Sequence, residues 1–286
     1  MAPGLIESAE SMADKYAVIG NPIAHSKSPF IHAEFARQTR HDMTYGRILG
    51  NPDDFAGDVR RFFAAGGQGM NVTLPFKEQA WELVDERSPR AKRVGAVNTL
   101  TRLPDGRLGG DNTDGIGLVR DLSENHGFDF GGKRILLLGA GGASRGVLPS
   151  LLDMALGTLV IANRTVAKAL DLAAAAAADR VSGFGLEGLS GRRFDLIINA
   201  TSAGLDGGVP AIPHDCLVVG GWTYDMFYGD TPTPFLRWGR EQGAACALDG
   251  LGMLVEQAAE SFFLWRGVRP LTSPVIARLR SGQAYS

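Results

Sequence analysis

The stretch RILLLGAGGAS at residues 134–144 decides the fold of this chain. It begins as a short apolar run typical of a buried strand, and residues 145–154 after it have helical character. Between a strand and a helix, glycines permit a tight turn and let backbone N–H groups approach a pyrophosphate at the helix N-terminus. Ser144 replaces the last glycine of the strict G-x-G-x-x-G pattern but is also small. The alternative is a glycine turn with only a structural role, but the flanking strand and helix favour a dinucleotide-binding turn. This turn consists of Gly139, Ala140, Gly141, Gly142 and Ala143.

The residues after the next predicted strand indicate which dinucleotide is bound. Asn163 lies 24 positions after Gly139, close to the spacing of about 20 at which an acidic residue holds the ribose of NAD. No acidic residue stands there, and the following residues are Arg164, Thr165 and, further on, Lys168. A guanidinium group can hold a 2′-phosphate with its planar fork, and Thr165 adds a donor. NADP is therefore the favoured cofactor. The alternative is that Arg164 and Lys168 merely begin a solvated helix.

Around this stretch, short apolar runs alternate with amphipathic stretches, as expected when each strand of a parallel sheet returns through a helix. The fold class is therefore α/β. The alanine run at 173–178 predicts helix rather than linker, because alanine is the best helix former. With 134–138, further strands are expected near 159–162, 195–199, 217–219 and 244–248, forming one Rossmann-like sheet.

The same alternation upstream predicts another sheet, with strands at 16–20, 43–49 and 70–73. Ser28 as N-cap and Pro29 at the first helical position predict a helix towards Arg40. Apolar spacing predicts a second helix over 53–65. Strands at 96–102 and 108–111 flank the turn Pro104-Asp105-Gly106, whose Asp-Gly step predicts an antiparallel hairpin. That hairpin closes the first domain.

The length of 286 residues predicts two domains, because it is near the size at which single cores stop growing. The last helices, from Met253 to about Trp265 and after Ser273-Pro274, have no further strand to cover in the second sheet. We expect them to return to the first domain, leaving a cleft between the two domains. The expected boundaries are 14–113 plus 250–286 for an α/β substrate domain with a mostly parallel sheet, 114–249 for a Rossmann-like NADP-binding domain, and 1–13 for a flexible extension.

Composition and charge limit the kinds of molecule that this chain is expected to bind. A net charge of −2 provides no broad positive field for nucleic acid or an anionic membrane, so a small-molecule partner is expected. No run of 18 apolar residues predicts a membrane span. Cys216 and Cys246 are scattered thiols that fit the reducing cytoplasm, and neither they nor the histidines have a metal-binding spacing. No metal is expected, and both a monomer and a homodimer remain open.

Several further motifs, taken together, resemble the shikimate dehydrogenase family. The resemblance runs from about Tyr16 to the C-terminal helices, and it implies NADPH-dependent, reversible reduction of 3-dehydroshikimate to shikimate in aromatic amino-acid biosynthesis. The motifs are HSKSP at 25–29, NVTLPFK at 71–77, GAVNT at 95–99, DNTD at 111–114, NATSAG at 199–204 and DGLGMLVEQ at 249–257.

The resemblance implies a set of substrate contacts. Ser26 and Ser28 would donate hydroxyl hydrogen bonds to the substrate carboxylate. A serine before proline is also a good helix cap, so Ser28 has a structural alternative. Tyr228 would lie close to substrate and nicotinamide, although the family's Tyr-x-Pro pattern is altered here to Tyr228-Gly229-Asp230. The residues expected around the ring hydroxyls are Asn71, Thr73, Asn98, Asp114 and Gln257.

Lys77 and Asp114 are the implied catalytic pair. Ketone reduction needs a proton for the developing alkoxide, and an ammonium within reach can supply charge stabilisation and that proton. Taken alone, Lys77 could be an exposed helical lysine, and Asp114 could be the N-cap of a helix running to His126. On the cofactor side the resemblance implicates Thr201, Gly250 and Met253, although Met253 could equally be core filler.

Two alternative functions stay open at this point. One is a quinate/shikimate dehydrogenase that uses NAD, which Arg164 argues against. The other is a catalytically silent nucleotide or metabolite sensor on the same fold, because fold alone does not establish activity.

Overall fold

The computed structural model describes residues 13–201, 203 and 208–282. The expected flexible extension therefore lies outside the described residues, except for Ala13. Ser202 and Gly204 of the NATSAG motif also lie outside them. The chain folds into two α/β domains, each built on a six-stranded sheet, as the alternation of apolar and amphipathic segments predicts.

The first sheet is parallel on one side and contains an antiparallel hairpin on the other. β1 pairs with β2 and β3 in parallel, whereas β3–β5 and β5–β6 are antiparallel and β4–β6 is parallel. The predicted hairpin is confirmed, with Gly106 at φ 87° in its turn. The strands, in spatial order β2-β1-β3-β5-β6-β4, are β1 (Asp14–Gly20), β2 (Met43–Leu49), β3 (Gly67–Val72), β4 (Glu86–Arg87), β5 (Thr99–Arg102) and β6 (Leu108–Asp111).

Four helices belong to this half of the chain: α1 (Ser28–Thr39), α2 (Phe55–Ala64), α3 (Lys77–Leu83) and α4 (Pro89–Val94). The predicted cap of α1 is wrong by one residue. Lys27 occupies the N-cap position, Ser28 is already helical, and no side-chain capping bond forms. The Ser28 hydroxyl is therefore not used in a helix-capping hydrogen bond. Neither α3 nor α4 was predicted, because helices this short contain too few turns to show an apolar period.

The second sheet is entirely parallel. Numbered from its own first strand, the spatial order is 3-2-1-4-5-6, the Rossmann arrangement in which the strand order reverses between the first and fourth strands. Here that switch point lies between β7 and β10. The strands are β7 (Arg134–Leu138), β8 (Thr158–Ala162), β9 (Val181–Phe184), β10 (Phe194–Asn199), β11 (Leu217–Asp225) and β12 (Cys246–Asp249).

Three predictions for this half need correction. β11 continues to Asp225 rather than ending at Val219, because the glycines near position 220 interrupt the apolar run without ending the strand. The alanine run leaves the helix early: α7 (Val166–Ala175) ends before Ala177, which has φ 49°. The helix from Asp114 does not run to His126 as one α-helix. α5 (Asp114–Arg120) is followed by a π-helical turn over Asp121–Asn125.

The C-terminal helices return to the first sheet as predicted. The remaining helices are α6 (Gly142–Leu152), α8 (Pro234–Glu241), α9 (Leu251–Arg266) and α10 (Ser273–Arg280). Ile31 and Phe35 of α1 share one buried apolar cluster with Val255 and Phe262 of α9. Trp265 also donates its indole N–H to the carbonyl of Leu100 in β5, at 3.0 Å. α9 therefore leaves the end of β12 and crosses back, which places its first turn beside the cleft.

Candidate active site

A cleft of about 370 Å³ lies where the two halves of the chain meet. Gly250 and Met253, expected on the cofactor side, border the same cleft. Folding thus brings together residues spread over more than two hundred positions. All nine predicted catalytic and substrate-binding residues line it: Ser26, Ser28, Asn71, Thr73, Lys77, Asn98, Asp114, Tyr228 and Gln257.

Lys77 and Asp114 form an ion pair inside this cleft. Lys77 is the first residue of α3 and Asp114 is the first of α5, so two helix starts bring the groups together. The Lys77 ammonium donates to Asp114 Oδ2 at 2.5 Å, and the two side chains are 28% and 16% exposed. Neither structural alternative describes this pair, because Lys77 points into the cleft and Thr113 occupies the N-cap position of α5. The arrangement can hold a proton at Nζ next to a bound ligand.

Asn98 fixes the orientation of the Asp114 carboxylate. Its amide donates to Asp114 Oδ1 at 2.8 Å and to Thr113 Oγ1 at 3.0 Å. Its carbonyl oxygen accepts from the Thr113 N–H at 2.9 Å and from the Thr99 hydroxyl at 2.8 Å. The whole amide is thus hydrogen-bonded within the protein, and the geometry adds a supporting role to the predicted contact with a ring hydroxyl.

Asn71 is held by groups that the sequence did not single out. Its amide nitrogen donates to the hydroxyls of Ser261, at 3.0 Å, and Thr99, at 3.2 Å. Its carbonyl oxygen accepts from the Tyr45 hydroxyl at 2.7 Å. The remaining lone pair of that oxygen is the group Asn71 can offer to a ligand hydroxyl. Tyr45 and Ser261 come from β2 and α9, and neither residue belongs to one of the motifs.

The two serines lie on the loop into α1 and at its first residue. The Ser26 hydroxyl accepts from the Ser28 N–H at 3.3 Å, and Arg47 donates twice to the Ser26 carbonyl, at 2.6 and 3.1 Å. Burial raises the pKa of Tyr45, which donates to Asn71, well above its ordinary value. Tyr45 therefore stays protonated at neutral pH. Both serine hydroxyls border the cleft, where they can donate to an anion.

The glycine turn leaves its backbone accessible at the start of a helix. Gly139 has φ 104°, and α6 begins at Gly142. Among the described residues, no atom lies within 4 Å of the position a Cβ would take on Gly141 or Gly142. A pyrophosphate can therefore approach their backbone N–H groups at the helix N-terminus. Ser144, the departure from the glycine pattern, is buried and donates to the Gly139 carbonyl at 2.8 Å, which ties the turn to the helix.

The predicted phosphate-binding residues follow β8. Asn163 donates from its amide to the carbonyl of Thr165 at 3.0 Å, closing a small turn before α7. Arg164, Thr165 and Lys168 are exposed around this turn. Their position beside the carboxyl ends of β7 and β8 is where the ribose end of a dinucleotide lies in this type of sheet.

Tyr228 and Met253 line the cleft, whereas Thr201 is not among the residues that line it. Tyr228 borders the cleft despite the altered Tyr-x-Pro pattern, and it also packs against the α1–α9 cluster. Met253 is both a core residue and a cleft residue, so the two expectations for it were not exclusive. Thr201 follows β10 and donates its hydroxyl to Asn199 at 2.7 Å.

Ion pairs join the two halves of the chain on either side of the cleft. Arg145 of α6 pairs with Glu78 of α3 at 2.6 Å, and Lys27 lies 3.7 Å from Asp230. In both pairs the acidic partner is largely exposed, so each contributes little to stability. They connect the cofactor side to residues directly next to Lys77 and to Ser26. No sequence pattern indicated them, because each pair spans separate elements.

Two negative findings apply to the described residues. No three His, Cys, Asp or Glu side chains among them lie close enough together to hold a metal ion. No helix in the described part of the chain is both long and apolar enough to cross a membrane.

Comparison with known proteins gives consistent matches. Residues 18–100 match a family model described as the shikimate dehydrogenase substrate binding domain. Residues 121–205 match one for shikimate/quinate 5-dehydrogenase, and residues 250–280 match one for the shikimate 5′-dehydrogenase C-terminal domain. A shikimate dehydrogenase (NADP(+)) from Alkalilimnicola ehrlichii is 60% identical over 270 residues, covering 94% of this chain and 99% of the relative.

Two solved structures resemble the whole chain. A shikimate 5-dehydrogenase from Thermus thermophilus in complex with NADP(H) and shikimate has a TM-score of 0.84 and 34% identity, covering 95% of this chain and 99% of the other. A shikimate 5-dehydrogenase from Listeria monocytogenes in complex with shikimate and NAD has a TM-score of 0.84 and 30% identity, covering 96% and 99%.

Proposed function

Because this chain belongs to the shikimate dehydrogenase family, we propose that Lys77 and Asp114 perform the proton chemistry of its reaction. The enzyme is an NADP-dependent oxidoreductase that interconverts 3-dehydroshikimate and shikimate. The observation that carries the residue assignment is the 2.5 Å ion pair in the cleft between the first sheet and the Rossmann-like sheet.

The substrate would bind with its carboxylate at the two serines and its ring hydroxyls against the polar wall of the cleft. Ser26 and Ser28 donate to the carboxylate, and Asn71 presents an acceptor to a hydroxyl. Thr73 and Gln257 lie on the same wall. A site that pairs each hydroxyl discriminates strongly against analogues that lack one, because its own buried polar groups would be left unpaired.

In the reducing direction, the Lys77 ammonium donates a proton to the ketone oxygen as negative charge develops there. Asp114 keeps the ammonium aimed at that oxygen, and Asn98 holds Asp114. In the oxidising direction the neutral amine removes the hydroxyl proton. Tyr228 and Met253 close the far side of the cleft and exclude water from the reacting atoms.

The residues of the glycine turn would hold the NADPH pyrophosphate at the N-terminus of α6, and Arg164, Thr165 and Lys168 would hold its 2′-phosphate. NADPH supplies the hydride for the carbonyl carbon when it is bound. Thr201 and Gly250 would flank the nicotinamide end. The open space at Gly141 and Gly142 supports this assignment, as does the absence of an acidic residue at 163–165.

We further propose that residues 14–113 with 250–286 form the substrate domain and 114–249 the cofactor domain. The return of α9 to the first sheet supports that division. The two thiols, both free, fit a cytoplasmic enzyme. A monomer and a homodimer are both compatible with the fold, and sedimentation velocity would separate them.

The proposed function is tested by absorbance of reduced nicotinamide with four combinations, shikimate or quinate with NADP⁺ or NAD⁺. We expect turnover mainly with shikimate and NADP⁺. Preference for quinate with NAD⁺ would contradict the Arg164 assignment and favour a quinate/shikimate dehydrogenase. NADPH binding without any turnover would favour a sensing role and remove the catalytic assignment of Lys77.

Replacing Ser26 with alanine should raise KM for shikimate about tenfold while kcat changes less than about threefold. A hydrogen bond to a charged group is worth about 1.5–3 kcal/mol, and this one is made equally in the ground and transition states. Steady-state kinetics at saturating NADP⁺ measures it. Ser281→Ala, at the exposed end of α10, is the matched control. An unchanged KM in the folded Ser26 variant would exclude Ser26 from carboxylate binding.

A further inference from the structure

Asp225 is a fully buried carboxylate that the chemistry of the cleft does not use. It is the last residue of β11 and has no exposed surface. Three groups donate to it: the Thr233 hydroxyl at 2.6 Å, the Asn199 amide at 3.1 Å and the Phe227 N–H at 3.2 Å. Burying a carboxylate is unfavourable unless hydrogen bonds compensate for lost water. The three hydrogen bonds of this buried carboxylate therefore suggest a role other than filling space in the core.

The first link from Asp225 leads to the loop after the neighbouring strand. Asn199 ends β10 and is the register partner of Asp225. Because its amide nitrogen faces Asp225, its carbonyl oxygen must face the other way. That oxygen accepts from the Thr201 N–H at 3.1 Å and from the Thr201 hydroxyl at 2.7 Å. Asp225 thus selects the orientation of the Asn199 side chain, and that orientation holds Thr201.

The Asn199–Thr201 loop packs directly against the dinucleotide-binding turn. A Cβ on Gly139 would lie 3.1 Å from the Ala200 carbonyl oxygen and 3.2 Å from Thr201 Cγ2. Because Gly139 has no Cβ, the loop can lie this close to its backbone, so a shift of the loop would change the surroundings of the turn. The loop also lies at the switch point between β7 and β10, where nucleotides bind in such sheets.

The second link from Asp225 leads to the far wall of the cleft. Its bond to the Phe227 N–H begins the turn that carries Tyr228. The neighbouring Met226 N–H donates to the main-chain carbonyl of Asn199 at 2.9 Å. One carboxylate thereby joins the segment after β10 to the segment after β11, and both border the place where the nicotinamide end of the cofactor would lie.

We propose that Asp225 is a positioning residue for dinucleotide binding, acting through Asn199 on Thr201 and through Phe227 on the Tyr228 segment. The proposal rests on the proposed function, because it assumes that Thr201 and Tyr228 flank the cofactor. Its chemistry is hydrogen-bond acceptance rather than charge. An amide at this position can still accept from Asn199 and Phe227 with its oxygen while its nitrogen faces Thr233.

Titration of NADPH fluorescence, which gives Kd directly, tests the proposal in the full-length protein. We expect Asp225→Ala to raise Kd for NADPH about tenfold, the loss expected for one or two hydrogen bonds. Asp225→Asn should stay within about threefold of the parent protein, because it keeps the acceptor. Asn199→Ala should raise Kd by no more than Asp225→Ala, because it breaks only the link to Thr201, and the double variant should be no worse than Asp225→Ala.

Thr233→Val is the control for a merely structural role. Thr233 caps α8 by accepting from the Leu236 N–H at 3.2 Å and also contacts Asp225. We expect this variant to lower Tm while Kd stays within about twofold, because it leaves the bond to Asn199 in place. KM for shikimate should change little in Asn199→Ala and Thr233→Val, because both leave the bond from Phe227 to Asp225, and so the Tyr228 segment, in place.

Three outcomes would overturn the proposal: an unchanged Kd in folded Asp225→Ala, additive effects in the double variant, or a Kd in Thr233→Val raised as much as in Asp225→Ala. If Asp225→Ala does not fold, Asn199→Ala decides, and an unchanged Kd there rejects the link. Measurements on the parent protein distinguish a failure of the proposed function from a failure of the Asp225 proposal. Failure of that protein to bind NADPH contradicts the proposed function itself, whereas unchanged ratios between variants contradict only the role of Asp225.

Discussion

Lys77→Ala should lower kcat about 100- to 10,000-fold, the usual contribution of a positioned general acid. The variant loses both the proton and the positive charge that face the developing alkoxide. It also leaves Asp114, which is mostly buried, without its ammonium partner at 2.5 Å. Stopped-flow or steady-state measurement of NADPH oxidation with 3-dehydroshikimate gives the rate, and Kd for NADPH should remain within a few-fold.

Lys92→Ala is the matched control for this variant, because Lys92 is an exposed lysine on α4 and its removal should leave kcat unchanged. Thermal unfolding of both variants checks that they fold. Near-normal turnover in a folded Lys77 variant would remove the lysine from the mechanism. A large rise in KM with unchanged kcat would instead make Lys77 a substrate-binding group, because the interaction would then be equal in ground and transition states.

Arg164→Ala should lower kcat/KM for NADP⁺ about 10- to 100-fold and leave kcat/KM for NAD⁺ nearly unchanged. The charge-assisted hydrogen bonding of the Arg164 guanidinium to this exposed phosphate is expected to contribute about 1.5–3 kcal/mol in total. NAD⁺ lacks the 2′-phosphate, so its kcat/KM does not depend on these hydrogen bonds. The ratio of kcat/KM values for the two cofactors, measured at saturating shikimate, gives the effect without correction for protein concentration.

Arg134→Ala serves as its control. Arg134 is also a Rossmann-domain arginine, but it begins β7 at the end opposite the glycine turn and bonds Asp195. Its removal should leave the cofactor ratio unchanged. Equal losses with NADP⁺ and NAD⁺ in the Arg164 variant would show that Arg164 supports the loop rather than the phosphate, and Lys168 would become the next candidate.

Local pattern was sufficient for the features that depend on a few adjacent residues. The glycine turn at 139–143 was predictable, since only glycine tolerates φ 104° and close backbone approach without strain. The hairpin at 104–106 depends on an Asp-Gly step in the same way. Short elements such as α4 and β4 were missed, because two to six residues carry no measurable period. The end of β11 was missed because glycines in a strand resemble a turn.

The site shows the same contrast between what the sequence predicts and what it does not. The motif residues were predicted through the resemblance to the shikimate dehydrogenase family, which assigns roles to positions such as Ser26 and Ser28. The hydrogen-bond partners of these side chains were not predictable. Tyr45 and Ser261 contact Asn71, and Asp225 contacts Asn199, from other strands and helices, and their side chains alone carry no signal of that role.

By itself, the sequence determined the α/β class, the dinucleotide turn, the preference for NADP and the identity of the groups that line the cleft. The first three follow from backbone conformation, charge and short-range spacing, which are local properties of the chain, whereas the residues that line the cleft follow from the resemblance of the motifs to the family. Only the tertiary structure decided the pairing of Lys77 with Asp114 through Asn98, the release of the Ser28 hydroxyl from helix capping, and the fixing of the Asn199 amide by Asp225. Hydrogen-bond partners depend on which elements pack side by side. That packing is set by burial of apolar faces across the whole chain rather than by neighbouring residues.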